Sequence, residues 1–184
     1  MDVVKRAKNI LIQPSHEWRV IAGESADVTS LLRDYAAPLS GVAAICQWLG
    51  LSTLFGAAGI GFVRTAVTAA VSWALGLFSL WIAAIVLENL APSFSSRRST
   101  IQALKLVVYG STPLWIVAIL TLIPVLSTLF IVGVIYAIYL VYVGLPSVLD
   151  TPSDKVVPFM VTSAVVVVIA NWAVRMLTQL IAGV

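Results

Sequence analysis

The chain has one cysteine, Cys46, and one histidine, His16. A single cysteine excludes an internal disulfide and any multi-cysteine metal site. Cys46 lies among apolar residues and reads as a packing residue. A lone histidine at the start of a short helix reads as a surface residue, and it leaves no partner for a histidine-centred catalytic dyad. HExxH and Asp-rich metal motifs are missing, and the glycine-rich stretch Phe55 to Phe62 lacks the Lys-Ser/Thr of a phosphate loop. That stretch is expected to be a tight turn. These absences point away from an enzyme and imply no cofactor and no metal. Charge is scarce as well, at 10% of residues, and the net +3 is carried mainly by particular loops, where it reports orientation and not nucleic-acid binding. The first dozen residues contain only Ile10-Leu11-Ile12 as a continuous apolar run, too short for a cleaved signal peptide. The first membrane helix is therefore expected to serve as an uncleaved targeting signal. Long linkers, charge blocks and low-complexity tails are also missing, so a single membrane domain is expected.

What fills the chain is apolar: 60% of residues are hydrophobic, and the mean hydropathy is +1.04, outside the range of soluble domains. The apolar residues form runs long enough for transmembrane helices. Their lengths exceed those of strands, which argues for helices over a barrel even in the valine-rich last run. The expected fold is all-α, a bundle of five transmembrane helices at about 36–54, 65–90, 101–122, 124–144 and 157–181, making up a domain of residues 35–184. The first span is short and interrupted by Gln47. Ser99 and Gln102 have capping-box spacing before the third. Within the third, Pro113 removes one backbone hydrogen bond and is expected to kink the helix, with Ser111 or Thr112 offering partial compensation. Pro92, Pro124 and Pro146 mark turns, and Pro124 makes spans three and four an antiparallel hairpin.

Residues 1–34 form a separate N-terminal segment. Val3, Ala7, Ile10 and Leu11 recur at helical spacing with Lys5, Arg6 and Lys8 opposite. This pattern fits a short amphipathic helix on an anionic membrane surface, or a solvated and partly ordered N-terminus. Gln13-Pro14 breaks it, and a second short helix follows with Trp18 and Ile21 on one face; Trp18 suits the headgroup layer. If the N-terminus is cytoplasmic, Lys5, Arg6, Lys8, Arg19, Arg33, Arg97, Arg98, Lys105 and Lys155 fall on that side and only Arg64 and Arg175 opposite, nine against two. This bias sets the orientation as N-terminus in, C-terminus out. Arg175 is then an anchor near the outer surface, and Asn171 is helix–helix glue.

With that orientation Glu88, Lys105, Tyr109, Tyr139, Tyr142 and Asp150 fall towards one leaflet. An ionised group inside a span usually faces protein, water or a partner. One reading is a buried Glu88–Lys105 pair ringed by tyrosine hydroxyls, lining a cytoplasm-open site for a headgroup, an ion or a small solute. The other has Glu88 and Lys105 snorkelling to the interface as anchors and the tyrosines forming an aromatic belt.

Several strings resemble the Yip1 family of polytopic membrane proteins in its bacterial form. PSHEWRVIAGE resembles the family's Pro-x-x-x-Trp-x-x-Ile segment. LAPSF, KLVVYGSTPLW, LIP and YAIYLVYVGLP follow its central pattern, and DTPSDKVVPF resembles its last loop. Ser95-Ser96 departs from the pattern, since glycine is common there in relatives. The resemblance implies five transmembrane helices with a cytoplasmic N-terminus. The link of eukaryotic members to Rab GTPases and vesicle traffic does not carry over to a bacterial-type chain lacking their longer N-terminal region. The resulting expectation is a non-enzymatic, multi-pass protein of a bacterial inner membrane. It would act as an adaptor or membrane-organising factor through lipid or protein contacts: anionic lipids at the basic N-terminus, and a protein partner or a second copy. The alternative is a small transporter or channel with a cytoplasm-facing polar site.

Overall fold

A helix that carries an ionised and an amide side chain into an apolar stretch is best satisfied at the centre of a bundle, where protein supplies the partners. In the computed structural model, which describes the backbone of residues 2–56, 62–120 and 122–182, that helix is α6 (Thr100–Gly110). The side chains of 51–56, 62–64, 124, 127, 170, 171 and 173–182 lie outside the description, as do residues 57–61. The turn expected at 55–62 and the roles expected of Asn171, Arg175 and Arg64 therefore lie outside the described residues. Ser99 caps α6 by accepting from the Gln102 N–H at 3.5 Å. From Gln102 to Gly110 every residue but Val107 is buried. The helices α5 (Phe62–Leu90) and α8 (Phe130–Leu149) pack along it, and α2 (Pro14–Gly23) meets its side chains.

Every described element is helical. Three helical stretches, Thr65–Phe94, Thr100–Leu120 and Phe130–Leu149, are long and apolar enough to cross a membrane. Two more apolar helices complete the bundle: α4 (Ala37–Gly56) against α5 and α7, and α9 (Val156–Ala182) against α5 and α8. Lipid-ready surface is plain on the outer faces, where Ile131 and Ile135 of α8 and Val161 and Val165 of α9 are exposed.

The third apolar run does not merely kink. It divides at Ser111 into α6 and α7 (Thr112–Leu120), because Pro113 has no N–H to continue the ladder. Ser111 ties the break to the preceding turn, its hydroxyl donating to the Val107 carbonyl at 2.8 Å. Thr112 is engaged elsewhere, with Tyr35. After α7, residues Pro124–Leu129 form a 3₁₀ turn, so α8 starts at Phe130 and not at Pro124. It then runs through Pro146, exposed on its outer side, to Leu149. Close approach of α7 and α8 depends on Gly133, where a Cβ would lie 2.9 Å from Val117 Cγ2.

The two loops flanking α6 and α8 are joined. Arg97 N–H donates to the Leu149 carbonyl at 2.7 Å, the hydroxyls of Ser96 and Thr151 bond at 2.9 Å, and Lys155 Nζ donates to Ser95 Oγ at 2.7 Å. Ser95 adopts φ 54°, a left-handed conformation that glycine enters without strain.

The N-terminal residues are part of the same core. Helix α1 (Val3–Ile12) and helix α2 form a hairpin whose Ile10, Trp18 and Ile21 have no exposed surface. Residues read from the sequence as a membrane-surface segment are thus packed on the bundle, with α2 against α8. The outer side of the hairpin keeps Val4, Lys5, Lys8, Ile12, Arg19 and Val20 exposed. Helix α3 (Val28–Ser30) leads through a π-helical stretch, Leu31–Ala36, into α4. Asp27 caps it: the backbone N–H of Ser30 donates to its carboxylate. That bond, and then the Ser30 hydroxyl, hold the Asp27 carboxyl below the ordinary carboxylate range. The cap's contribution is complete above the ordinary pKa and is lost as pH falls through the lowered one. A carboxyl NMR titration in micelles is expected to show Asp27 with a midpoint below that of a free aspartate; a midpoint at or above it would remove the charged cap.

Candidate functional site

Helix ends leave carbonyls without partners, and a cation is the strongest way to satisfy them. Helix α2 ends at Gly23, and Lys105 of α6 meets that end. Its Nζ donates to the Ile21 carbonyl at 2.8 Å and to the Glu24 carbonyl. The side chain is 2% exposed, so the ammonium exchanges water for the carbonyl end of another helix. One turn away, Gln102 Nε2 donates to the Ala22 carbonyl at 3.0 Å. Two α6 side chains therefore close the C-terminus of α2 from outside.

The hairpin carries its own charges to the same place. Arg6 of α1 bonds Glu17 of α2 through one guanidinium nitrogen and Glu24 through another. Glu17 is buried, and a buried carboxylate needs such a partner. Burial by itself pulls the Arg6 pKa down; the bond to Glu24 and the charges of Glu24 and Glu17 outweigh it and leave the guanidinium above its ordinary value. The guanidinium also lies 5.8 Å from the centre of the Tyr109 ring, within cation–π range.

Aromatic groups complete the cluster. The Tyr109 ring meets Trp18 edge-on at 6.4 Å and Tyr35 at 4.7 Å. The Tyr35 hydroxyl bonds Thr112 Oγ1 at 2.8 Å. Tyr136 of α8 donates to the Leu11 carbonyl at 2.6 Å, which satisfies a free carbonyl at the end of α1.

The six residues singled out from the sequence do not converge. Lys105 and Tyr109 belong to this cluster. Glu88 belongs to another: it accepts from the Thr100 hydroxyl at 2.8 Å and pairs with Arg98 at 3.5 Å. The Glu88–Lys105 pair of the first reading does not form, and helix geometry gives the reason. Lys105 lies five residues after Thr100, about 140° around the helix at 3.6 residues per turn. With Thr100 turned to α5, Lys105 is turned to α2. Tyr139 and Tyr142 are 44% and 47% exposed on the outside of α8. Asp150 is exposed and ends α8 in a left-handed conformation, φ 53°. Of the prolines, Pro113 divides its helix, Pro124 opens the 3₁₀ turn, Pro92 lies in a 3₁₀ turn (Ala91–Phe94), and Pro146 is inside α8.

Arg6, Glu17, Glu24 and Trp18 were not among the site residues expected from the sequence. The available signal was Glu17 beside Trp18 on the side of α2 that also carries Ile21, where a buried carboxylate is costly without a partner. Chemically the cluster is a clamp: every ionised group in it has an opposite charge or backbone carbonyls as partner. Among the described residues no three His, Cys, Asp or Glu side chains come together as a metal site.

A family model described as the Yip1 domain matches residues 8–174. No match was found among curated proteins or among solved structures.

Proposed function

Because the chain belongs to the Yip1 family, and is therefore a multi-pass integral membrane protein, we propose that it is a non-enzymatic adaptor or membrane-organising factor acting through one contact face. That face consists of the outer side of the α1–α2 hairpin and the two joined loops at residues 91–99 and 150–155. We take it as the cytoplasmic face of a five-span bundle in a bacterial inner membrane. Lys5, Lys8, Arg19, Arg97, Arg98 and Lys155 lie on the hairpin and these loops, which agrees with the positive-inside rule. The hydrogen bonds between the loops support their sharing one side, as five spans require.

The observation that carries the reading is the use made of the buried charges. Lys105, buried within a span, is held by the carbonyls of α2, and Arg6 is held by two carboxylates. An ion path needs groups that exchange partners with the passing ion; here Lys105 instead fastens the hairpin to the bundle, and Arg6 ties α1 to the end of α2 within it. Its outer side, basic residues beside exposed Val4, Ile12 and Val20, suits an anionic lipid surface or a partner docked against it.

The test is photo-crosslinking in native membranes. A photoreactive residue at Lys8 or Arg19 is expected to capture anionic lipid or one discrete protein, whereas the same group at Val165 of α9 captures bulk lipid only. Liposome flux of protons or simple ions above the protein-free rate, abolished by Glu88→Gln, would sink the adaptor reading.

A further inference from the structure

Away from the clamp, α4, α5 and α7 part around a cavity of about 460 Å³, within the size range of small-molecule sites. Two indoles frame it. Trp73 Nε1 donates to Ser40 Oγ at 2.9 Å, and Ser40 donates in turn to the Ala36 carbonyl at 2.6 Å. At the other end Trp48 Nε1 donates to Thr65 Oγ1 at 3.2 Å. The frame is therefore fixed by its own hydrogen bonds, and the two anchor positions on α4 stand eight residues apart, about 12 Å at the helical rise. Between them Ala44 and Ala69 leave the space open.

Gln47 and Ser72 line this space, are exposed to it, and have no side-chain hydrogen bond among the described residues. Gln47 stands ten residues into α4, about 15 Å along the helix; with α4 taken as the first span of the proposed bundle, that is close to the middle of a hydrocarbon core roughly 30 Å thick. An amide at that depth finds no water, and leaving it unpaired is costly. It calls for an occupant that brings its own acceptors and donors. Among the described residues that line the cavity none is ionised, which disfavours a charged headgroup. A volume of about 460 Å³ would hold only about one turn of a helix 10–12 Å across with its side chains, so the occupant is slimmer.

We propose that this cavity binds a neutral, membrane-dissolved amphiphile. Its carbonyl or hydroxyl oxygens would bond Gln47 and Ser72, and its apolar part would lie between the Trp48 and Trp73 rings. A diacylglycerol-type lipid and a quinone-type ring both present this chemistry. The site is separate from the clamp and does not depend on the adaptor reading.

The experiment uses the full chain in phosphatidylcholine nanodiscs with three diazirine-bearing probes: a diacylglycerol, a short-tailed benzoquinone and, as control, a phosphatidylglycerol. Labelling by at least one neutral probe is expected on α4 and α5 between Ser40 and Leu80, competed by its unlabelled form. The two neutral arms decide which source supplies the oxygens. Gln47→Leu is expected to weaken that labelling roughly three- to tenfold, the worth of one hydrogen bond, with labelling of the outer face of α8 unchanged. Ala69→Phe, which fills the space and leaves Gln47 in place, is expected to remove it, and unchanged α8 labelling again reports an intact bundle. Equal labelling by neutral and anionic probes, or labelling indifferent to both substitutions, overturns the proposal. So does a Gln47-dependent crosslink between two copies of the chain in place of lipid labelling.

Discussion

Lys105→Met is expected to release the α1–α2 hairpin while leaving the membrane helices assembled. Methionine matches the length of the lysine stem and keeps its packing, but it donates nothing. The carbonyls of Ile21 and Glu24 are then left at a helix end in a buried site. Hydrogen bonds from a charged donor are worth about 1.5–3 kcal/mol each. Part of this is offset because no ammonium need then be desolvated and because Arg6, a like charge bound to Glu24, lies close by. A net loss of about 3 kcal/mol in the docking of α2 corresponds to a rise in local opening of roughly 100-fold. Hydrogen exchange in micelles reads this directly. The amides of Trp18 to Gly23 lose protection, and those of α8 between Ile135 and Leu140 do not. Unchanged exchange in α2 would show that the lysine does not hold the hairpin.

A second large effect is expected from the smallest change available, Gly144→Ala. In most helices alanine stabilises relative to glycine by up to about 1 kcal/mol. At Gly144 a Cβ would stand 2.6 Å from Leu106 Cδ1 and 2.7 Å from Trp18 Cε2. Neither neighbour has exposed surface to retreat into. Overpacking of this kind costs about 1–3 kcal/mol, so the sign of the substitution reverses. Gly76 of α5 supplies the comparison, because nothing lies within 4 Å of its Cβ position. Thermal unfolding in detergent is expected to rank Gly76→Ala above the parent and Gly144→Ala below it. A Gly144→Ala protein as stable as Gly76→Ala would mean that α8 does not press on Trp18 as closely as the geometry requires.

The helices were legible in the sequence because hydrocarbon imposes a length and a composition on whatever crosses it. The runs around α5 and α8 could hardly have been anything else. The docking of the hairpin was not legible, since an amphipathic face reports that one side is apolar and not whether lipid or protein will cover it. Ile10, Trp18 and Ile21 suit either surface; Glu17 suits only one, and it was the clue. Glu88 and Lys105 looked like partners because they are opposite charges in neighbouring segments. Their separation follows from counting residues around α6 once Thr100 is given to Glu88. The first turn of α8 was misplaced because Pro124 suits a helix start and a 3₁₀ turn equally well.

The bond from Tyr136 to the Leu11 carbonyl spans 125 residues of chain. At a synthesis rate of about 5–20 residues per second, the acceptor is made roughly 6–25 seconds before its donor. Through that interval the hairpin's apolar face lacks the α8 surface that finally covers it. Docking of the hairpin against α8 is therefore a late step of biogenesis, open only once the chain has been made through Tyr136.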